Sequence, residues 1–267
     1  MRLLAAALAV PLLAFAPAPL AAPPDGKPVD AGPYVPSPQS VVSDMLELAG
    51  VGPRDFVIDL GSGDGRIVRT AALVFGAKGF GVDIDERLVK QANADAAREG
   101  IADRAKFVTA DLFKTDISQA TVLTMYLLPH TVNLLRDKLL AELRPGTRVL
   151  SHDYPLTGWV PEKYVQMDLE DKVKISGVTT TLIYLYVVPA KVEGRWRATL
   201  PEGPATLELA QNITRVSGKA RLQGREHALQ DVRLRGEEIS FRIGGRAYSG
   251  RVRGAAIEGA GWRAERP

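Results

Sequence analysis

Between Asp55 and Gly65 the chain reads DFVIDLGSGDG, an apolar, β-branched run that ends in three glycines within five positions. An apolar run without polar alternation reads as a strand buried on both faces, as in a parallel sheet. Ile67, Val68, Ala71, Ala72 and Phe75 follow at helical spacing, so the glycines make a tight strand-to-helix turn. Such a turn brings a helix N-terminus to the carboxyl edge of a sheet, where unpaired N–H groups and the helix dipole favour a nucleotide-like ligand. Glycines let the main chain approach that ligand without Cβ atoms in the way. The dinucleotide pattern G-x-G-x-x-G fails here, because Arg66 stands where the third glycine belongs. What stands instead is Asp59-x-Gly61-x-Gly63-x-Gly65.

The flanking chain alternates strand and helix. SPQSVVSDMLELA predicts a helix with Ser37 as N-cap and Pro38 at the first helical position. GFGVDI, KFVTAD, TVLTMYLL and RVLSHDY predict strands, with helices at 86–99 and about 130–143, the latter ended by Pro145-Gly146. This order implies right-handed βαβ units in an α/β, Rossmann-like, doubly wound, mostly parallel sheet. The segment from Asp111 to Thr121 is short, so one crossover is expected to be reduced to a turn or a single helical turn. YVQMDLED and TTTLIYLYVVP predict an antiparallel edge hairpin. This α/β domain is expected over 37–189. From 190 to 267, short alternating stretches such as WRATL, ATLELA and ISFRI, punctuated by glycines, predict a small C-terminal all-β domain, an antiparallel sandwich or barrel.

Residues 1–22, Met1-Arg2 followed by LLAAALAVPLLAFA and small residues, have the pattern of a signal peptide. They predict export to the periplasm or cell envelope, with cleavage between Ala16 and Ala22; an uncleaved anchor and a cytoplasmic chain are the alternatives. Residues 23–36 read as a proline-rich extended linker. The absence of cysteine excludes disulfides, thiol nucleophiles and cysteine-ligated metals. Three histidines scattered at 130, 152 and 227 give no metal-binding spacing. A net charge of +3 does not point to nucleic acid. From Lys191 onward about 15 basic residues face about 9 acids, which leaves an acidic partner or an anionic membrane surface as a contact for the tail, against an ordinary solvated sheet face.

The order Asp59-x-Gly61-x-Gly63-x-Gly65 resembles motif I of the class I S-adenosylmethionine-dependent methyltransferases. The resemblance implies that the Gly61–Gly65 loop, with Ser62, holds the methionine portion of the cofactor while Asp59 serves its cationic end. Asp83, beside Ile84 in GVDID, matches the acid that takes both ribose hydroxyls, and Asp111, beside Leu112 in FVTADL, matches the acid at the adenine amino group. A closer resemblance covers residues 34–160. YVPSP, DLGSGDGRIV, the YLLP segment and LRPGTRVLSHDY-xxx-GW look like a protein-lysine methyltransferase group of small archaeal enzymes and of mitochondrial enzymes acting on inner-membrane proteins. It implies S-adenosyl-L-methionine as cofactor, a lysine-bearing protein as acceptor, and Tyr34 folded over the site. The sequence departs from the wider family at Ala120-Thr121, where an acid commonly starts the fourth strand.

Methyl transfer from a sulfonium is an in-line displacement, so the protein chiefly aligns a neutral nucleophile and excludes water. A lysine amine must first lose its proton, which an apolar site favours. Tyr126, at the end of the fourth predicted strand, is expected to orient that amine; a core aromatic is the alternative. His152 is expected to accept a proton near neutral pH, or to serve as a structural hydrogen-bonding residue, and Asp153 to hold a cationic amine. Trp159 is expected at the same mouth. Two further readings stand beside a lysine methyltransferase: a small-molecule methyltransferase, and an exported non-catalytic nucleotide-binding protein.

Overall fold

The computed structural model describes residues 34–170, 172, 173 and 177–267; the signal-like segment and most of the linker lie outside the described residues. The run FVIDL forms β1 (Phe56–Leu60), with Val57, Ile58 and Leu60 fully buried. Burial on both faces follows from its place in the middle of a sheet. It pairs in parallel with β2 (Lys78–Asp83) on one side and β4 (Val122–Met125) on the other. β3 (Ala105–Thr109) extends the sheet beyond β2, and β5 (Arg148–His152) extends it beyond β4, both in parallel. β7 (Thr180–Val187) then runs antiparallel to β5, and β6 (Lys163–Asp168) antiparallel to β7, giving the order β3-β2-β1-β4-β5-β7-β6. This is the doubly wound sheet with an antiparallel edge that the sequence predicts. Its strand order reverses between β1 and β4, which is where ligand crevices open in such sheets.

Helices cover both faces. α1 (Gln39–Leu48) and α2 (Arg66–Val74) place Val41, Met45, Ile67 and Ala71 in one apolar layer with Leu150 and Ile183. α3 (Glu86–Arg98) packs Val89, Ala92 and Ala96 with Val68 and Phe107. α4 (Pro129–Glu142) lays Val132, Leu135 and Leu139 against the opposite face. The predicted cap of the first helix is corrected. Pro38 holds the N-cap position with no side-chain cap, because the Ser37 hydroxyl is turned inward to His152. The 111–121 connection is a series of turns in which the Asp111 carbonyl accepts from the amides of Lys114 and Thr115.

The second sheet contains β8 (Gly194–Leu200), β9 (Gly203–Asn212), β10 (Arg215–Leu222), β11 (Arg225–Ala228), β12 (Gln230–Arg235), β13 (Glu238–Ile243), β14 (Arg246–Arg253), β15 (Ala256–Gly259) and β16 (Trp262–Glu265), in the order β11-β10-β9-β8-β16-β15-β14-β13-β12. Only Leu229 separates β11 from β12, so the two ends of this order are one strand, irregular between Gln230 and Arg233 where Asp231 takes a φ of 51°. The sheet therefore closes into an eight-strand antiparallel barrel. Alternation along each strand sends Trp196, Leu207, Phe241, Tyr248, Ile257 and Trp262 inward and the arginines outward, and a barrel of this size is filled by its own side chains.

The barrel docks on the amino edge of the α/β sheet. Arg235 meets Glu162 at 2.8 Å, the turn at Gly236 packs on Gly146 and Val187, and Ile213 packs against the α/β core. Thr121 lies on this same edge, its hydroxyl donating to Asp55 at 2.7 Å beside the Asp55–Arg148 ion pair. The departure from the family pattern at Ala120-Thr121 is thus at the end of the sheet away from the switch-point crevice. Among the described residues no helix is long and apolar enough to cross a membrane.

Candidate active site

At the carboxyl edge, the turn after β1 bends back on β2: the amides of Gly61 and Ser62 both donate to the Val82 carbonyl at 2.9 Å. Gly63 and Gly65 have φ of 53° and 78°, values that L side chains adopt only under strain. A Cβ on Gly63 would sit 2.3 Å from the Tyr34 ring, and one on Gly65 2.5 Å from Phe107. The loop therefore serves two surfaces at once, Tyr34 above and the α3–β3 layer below.

A cavity opens between this loop, the end of β2 and the end of β4. Tyr34, Gly61 and Ser62 line one end, Asp83 and Ile84 the middle, Asp111 and Leu112 the far end, and Tyr126 the inner wall. Asp83 is fixed by the loop it faces: Oδ2 accepts from Gly63 N–H at 2.8 Å and Oδ1 from Asp85 N–H at 2.9 Å. Asp85 caps α3 through the amides of Arg87 and Leu88. Asp111 accepts from the Phe113 amide at 2.9 Å. Pro36, Asp64, Arg66 and Leu88 also line the cavity without having been expected from sequence. The Arg66 guanidinium grips Asp64 at 2.7 Å and donates to the Ser37 carbonyl at 2.7 Å, holding the YVPSP segment over the loop. Burial alone pushes the Asp64 carboxyl up, but Arg66 outweighs it and holds it below the usual carboxylate range.

Three expected cofactor residues lie behind the cavity wall. Gly63 and Gly65 shape the loop from within. Asp59 is 2 % exposed and accepts at 2.7 Å from the hydroxyl of Thr124, its cross-strand partner on β4. Burial pushes its carboxyl up to about 7 against the Thr124 hydrogen bond, with Asp83 and Asp64 adding to the rise. A direct grip by Asp59 on the cofactor's cationic end is corrected to a buried carboxyl beneath the loop.

Tyr126, His152 and Asp153 come together beyond the inner wall. The Tyr126 ring stacks on His152 with centroids 3.9 Å apart, and its hydroxyl donates to Asp153 Oδ2 at 3.1 Å. Burial, then Asp153, raises the Tyr126 hydroxyl far above its ordinary value, so it stays protonated. Asp153 has a φ of 62° and a crowded carboxylate. Oδ1 accepts from the Leu182 amide at 3.0 Å and the Thr181 hydroxyl at 3.1 Å, and Lys172 Nζ stands 2.7 Å from both oxygens. Burial pushes that carboxyl up, but His152 and Lys172 hold it below the usual range. His152 is fully buried between Ser37 and Thr181 at 2.8 and 2.7 Å, and burial lowers it to about 4. It is therefore neutral at pH 7 and a weak base, with both ring nitrogens already engaged by hydroxyls; of the two roles expected for it, the structural one fits. Trp159 is also corrected: it is buried in the core on Tyr186, with ring centroids 5.2 Å apart.

These residues fit S-adenosylmethionine by their chemistry. A carboxylate at the end of β2 suits ribose hydroxyls, Ile84, Leu88 and Leu112 offer apolar walls to a base, and the acidic lining suits a cation. The Ser62 hydroxyl is buried with no hydrogen-bond partner among the described residues. Among the described residues there is no cluster able to hold a metal ion.

Comparisons with known proteins converge on this region. Residues 59–163 match the family described as the ANTKMT methyltransferase domain. A protein-lysine N-methyltransferase of Saccharolobus islandicus is 43% identical over 157 residues, which is 58% of this chain and 93% of that protein. The adenine nucleotide translocase lysine N-methyltransferase of Mus musculus is 36% identical over 129 residues, 48% of this chain and 56% of that protein. A crystal structure described as an RNA methyltransferase from Salinibacter ruber, in complex with S-adenosyl-L-homocysteine, superimposes with a TM-score of 0.53 at 46% identity, covering 59% of this chain and 96% of that one.

Proposed function

Because the chain belongs to the class I S-adenosylmethionine-dependent methyltransferases of the protein-lysine group, we propose that it methylates the side-chain amine of lysine residues in a protein. When bound, the cofactor supplies an electrophilic methyl group on a sulfonium. The observation that carries the lysine reading is the Tyr126–Asp153 hydrogen bond at the inner wall of the cavity. Since Tyr126 donates its proton to Asp153, its oxygen presents only lone pairs to an incoming N–H, which orients an amine with its own lone pair free. His152 packs against the Tyr126 ring, and the apolar Leu127 side chain next to it in the lining favours the neutral amine locally. Asp83 and Asp111 are assigned to the ribose and the base, Ser62 and Gly61 to the methionine portion, and Tyr34 to the cover.

RNA as acceptor, the reading that the Salinibacter ruber structure's description favours, fits the mouth less well. Asp64, Asp83, Asp85 and Asp111 line it, and among the described residues the one arginine there is already tied to Asp64, whereas polyanion binding rests on free cations along the path of the phosphates. Incubating the enzyme with labelled S-adenosylmethionine and either total protein or total RNA separates the two. Methyl-lysine in protein digests, without label in RNA, is the expected result; label confined to RNA overturns it.

We propose further, on the signal-like pattern of residues 1–22 alone, that the enzyme acts in the cell envelope, with acceptors among envelope proteins. Fractionation of cells that produce the full chain tests this, and a purely cytosolic distribution overturns it.

A further inference from the structure

Lys172 lies in the connection between β6 and β7, is 3 % exposed, and puts its ammonium 2.7 Å from both oxygens of Asp153 and 2.6 Å from the Thr180 carbonyl. Nothing in the mechanism above uses this cation, yet it holds the carboxylate that receives the Tyr126 proton. We propose that Lys172 is a positioning residue for methyl transfer: by occupying the cationic place beside Asp153, it keeps the acceptor lysine from being held there as an ammonium and leaves the Tyr126 oxygen to receive it as a neutral amine. This rests on the lysine reading.

The charges around Asp153 support the assignment. From β4 it meets the protonated Tyr126 hydroxyl, from β5 the neutral His152 ring at 3.6 Å, and from β7 the Thr181 hydroxyl and Leu182 amide. Among the described residues, Tyr154, next to it in sequence, and Tyr184 are the other titratable groups near it, and both are phenols. Among the described residues, Lys172 is thus the cation that balances Asp153. Without it, a bare carboxylate next to the acceptor amine favours the protonated amine and raises its pKa, so the nucleophilic fraction falls at a given pH. The connection from β6 to β7 reads as an ordinary charged loop in sequence, LEDKVKISG, and gives no sign of this role.

The experiment is the pH profile of kcat for methylation of poly-L-lysine by the full chain and by K172M, K172R and the double variant D153N–K172M. In K172M the acid limb is expected to move up by at least one pH unit, so that turnover drops about tenfold below the limb and converges with wild type above it. K172R is expected to keep the wild-type midpoint, and the double variant to return toward it, because removing both charges restores the balance. A K172M profile lowered equally at every pH, or one with an unmoved midpoint, overturns the inference alone. Absence of methyl-lysine from the wild-type enzyme, on poly-L-lysine and on envelope protein alike, overturns the lysine reading and the inference with it.

Discussion

Ser37 Oγ lies 2.8 Å from His152 Nδ1, a buried hydrogen bond that ties the residue before Pro38 and α1 to the end of β5, 115 positions later. On the other side of the ring, Nε2 meets the Thr181 hydroxyl, which itself donates to Asp153. This direction of donation assigns the proton to Nε2 and leaves Nδ1 to accept from Ser37. The ring is thereby satisfied only when neutral.

Acid should therefore loosen the fold through His152. Its folded pKa of about 4 lies below the ordinary 6.5, so the unfolded chain binds the extra proton first. The contribution is fully present above pH 6.5 and is lost as pH falls toward 4, about 3 kcal/mol in all. Urea midpoints from pH 7 to 4.5 measure it, and His152→Gln should flatten that part of the slope.

Asp59 acts with the opposite sign. Its carboxyl is raised from 3.8 to about 7 by burial, so the folded chain binds the proton more tightly than the unfolded one. Stability from this group is present below pH 4 and lost as pH rises through 7, on the order of 4 kcal/mol. Asp59→Asn keeps an acceptor for Thr124 without the charge. The variant should match wild type near pH 4 and exceed it at pH 8, as read by urea unfolding at the two values.

The contrast between Asp59 and Asp83 shows what was legible in the sequence. The strand–glycine–helix order is local, so β1, the Gly61–Gly65 turn and α2 follow from pattern alone. Whether a given acid faces the crevice depends on which neighbour its strand pairs with, and Asp59 turns to Thr124 on β4, 65 positions away. Likewise His152 and Asp153 stand together in sequence, but their roles are set by Ser37, Thr181 and Lys172 from three other segments. Barrel closure was equally hidden, since it rests on one irregular strand around Leu229 that pairs on both sides.

Cofactor affinity should depend on Asp83 beyond its ligand contacts, because it also anchors the Gly63 and Asp85 amides. Asp83→Ala is expected to raise the Kd for S-adenosylmethionine at least tenfold, a hydrogen bond to a charged group being worth roughly 1.5–3 kcal/mol. Isothermal titration of both proteins gives the answer, and an unchanged Kd would remove Asp83 from the site.

Alanine at the two inner glycines should separate packing from binding. Gly65→Ala drives a Cβ into Phe107 and Ala92 within the core at a positive φ, so a loss of about 2–4 kcal/mol in stability is expected. Gly63→Ala meets only the half-exposed Tyr34 ring, which can swing away. Its thermal midpoint should fall less, while cofactor affinity falls more, since Tyr34 is the cover. Equal effects of the two variants on both readouts would contradict the division of the loop into two surfaces.

The barrel offers the converse case. Trp196 is fully buried within it, its indole N–H donating to the Val192 carbonyl at 2.8 Å and the Arg266 guanidinium stacked 4.6 Å from its ring. Truncation to alanine leaves a large void in an interior filled by its own side chains, and a cost of about 3–5 kcal/mol follows. Because the barrel meets the α/β sheet through Gly146, Val187 and Glu162 at or near its amino edge, that loss should stay remote from the carboxyl-edge cavity. Trp196→Ala should therefore lower the thermal midpoint by several degrees, yet bind S-adenosylmethionine with wild-type Kd at 15 °C, where the variant remains folded. A weakened Kd under those conditions would mean that the barrel is coupled to the cofactor site through the length of the sheet.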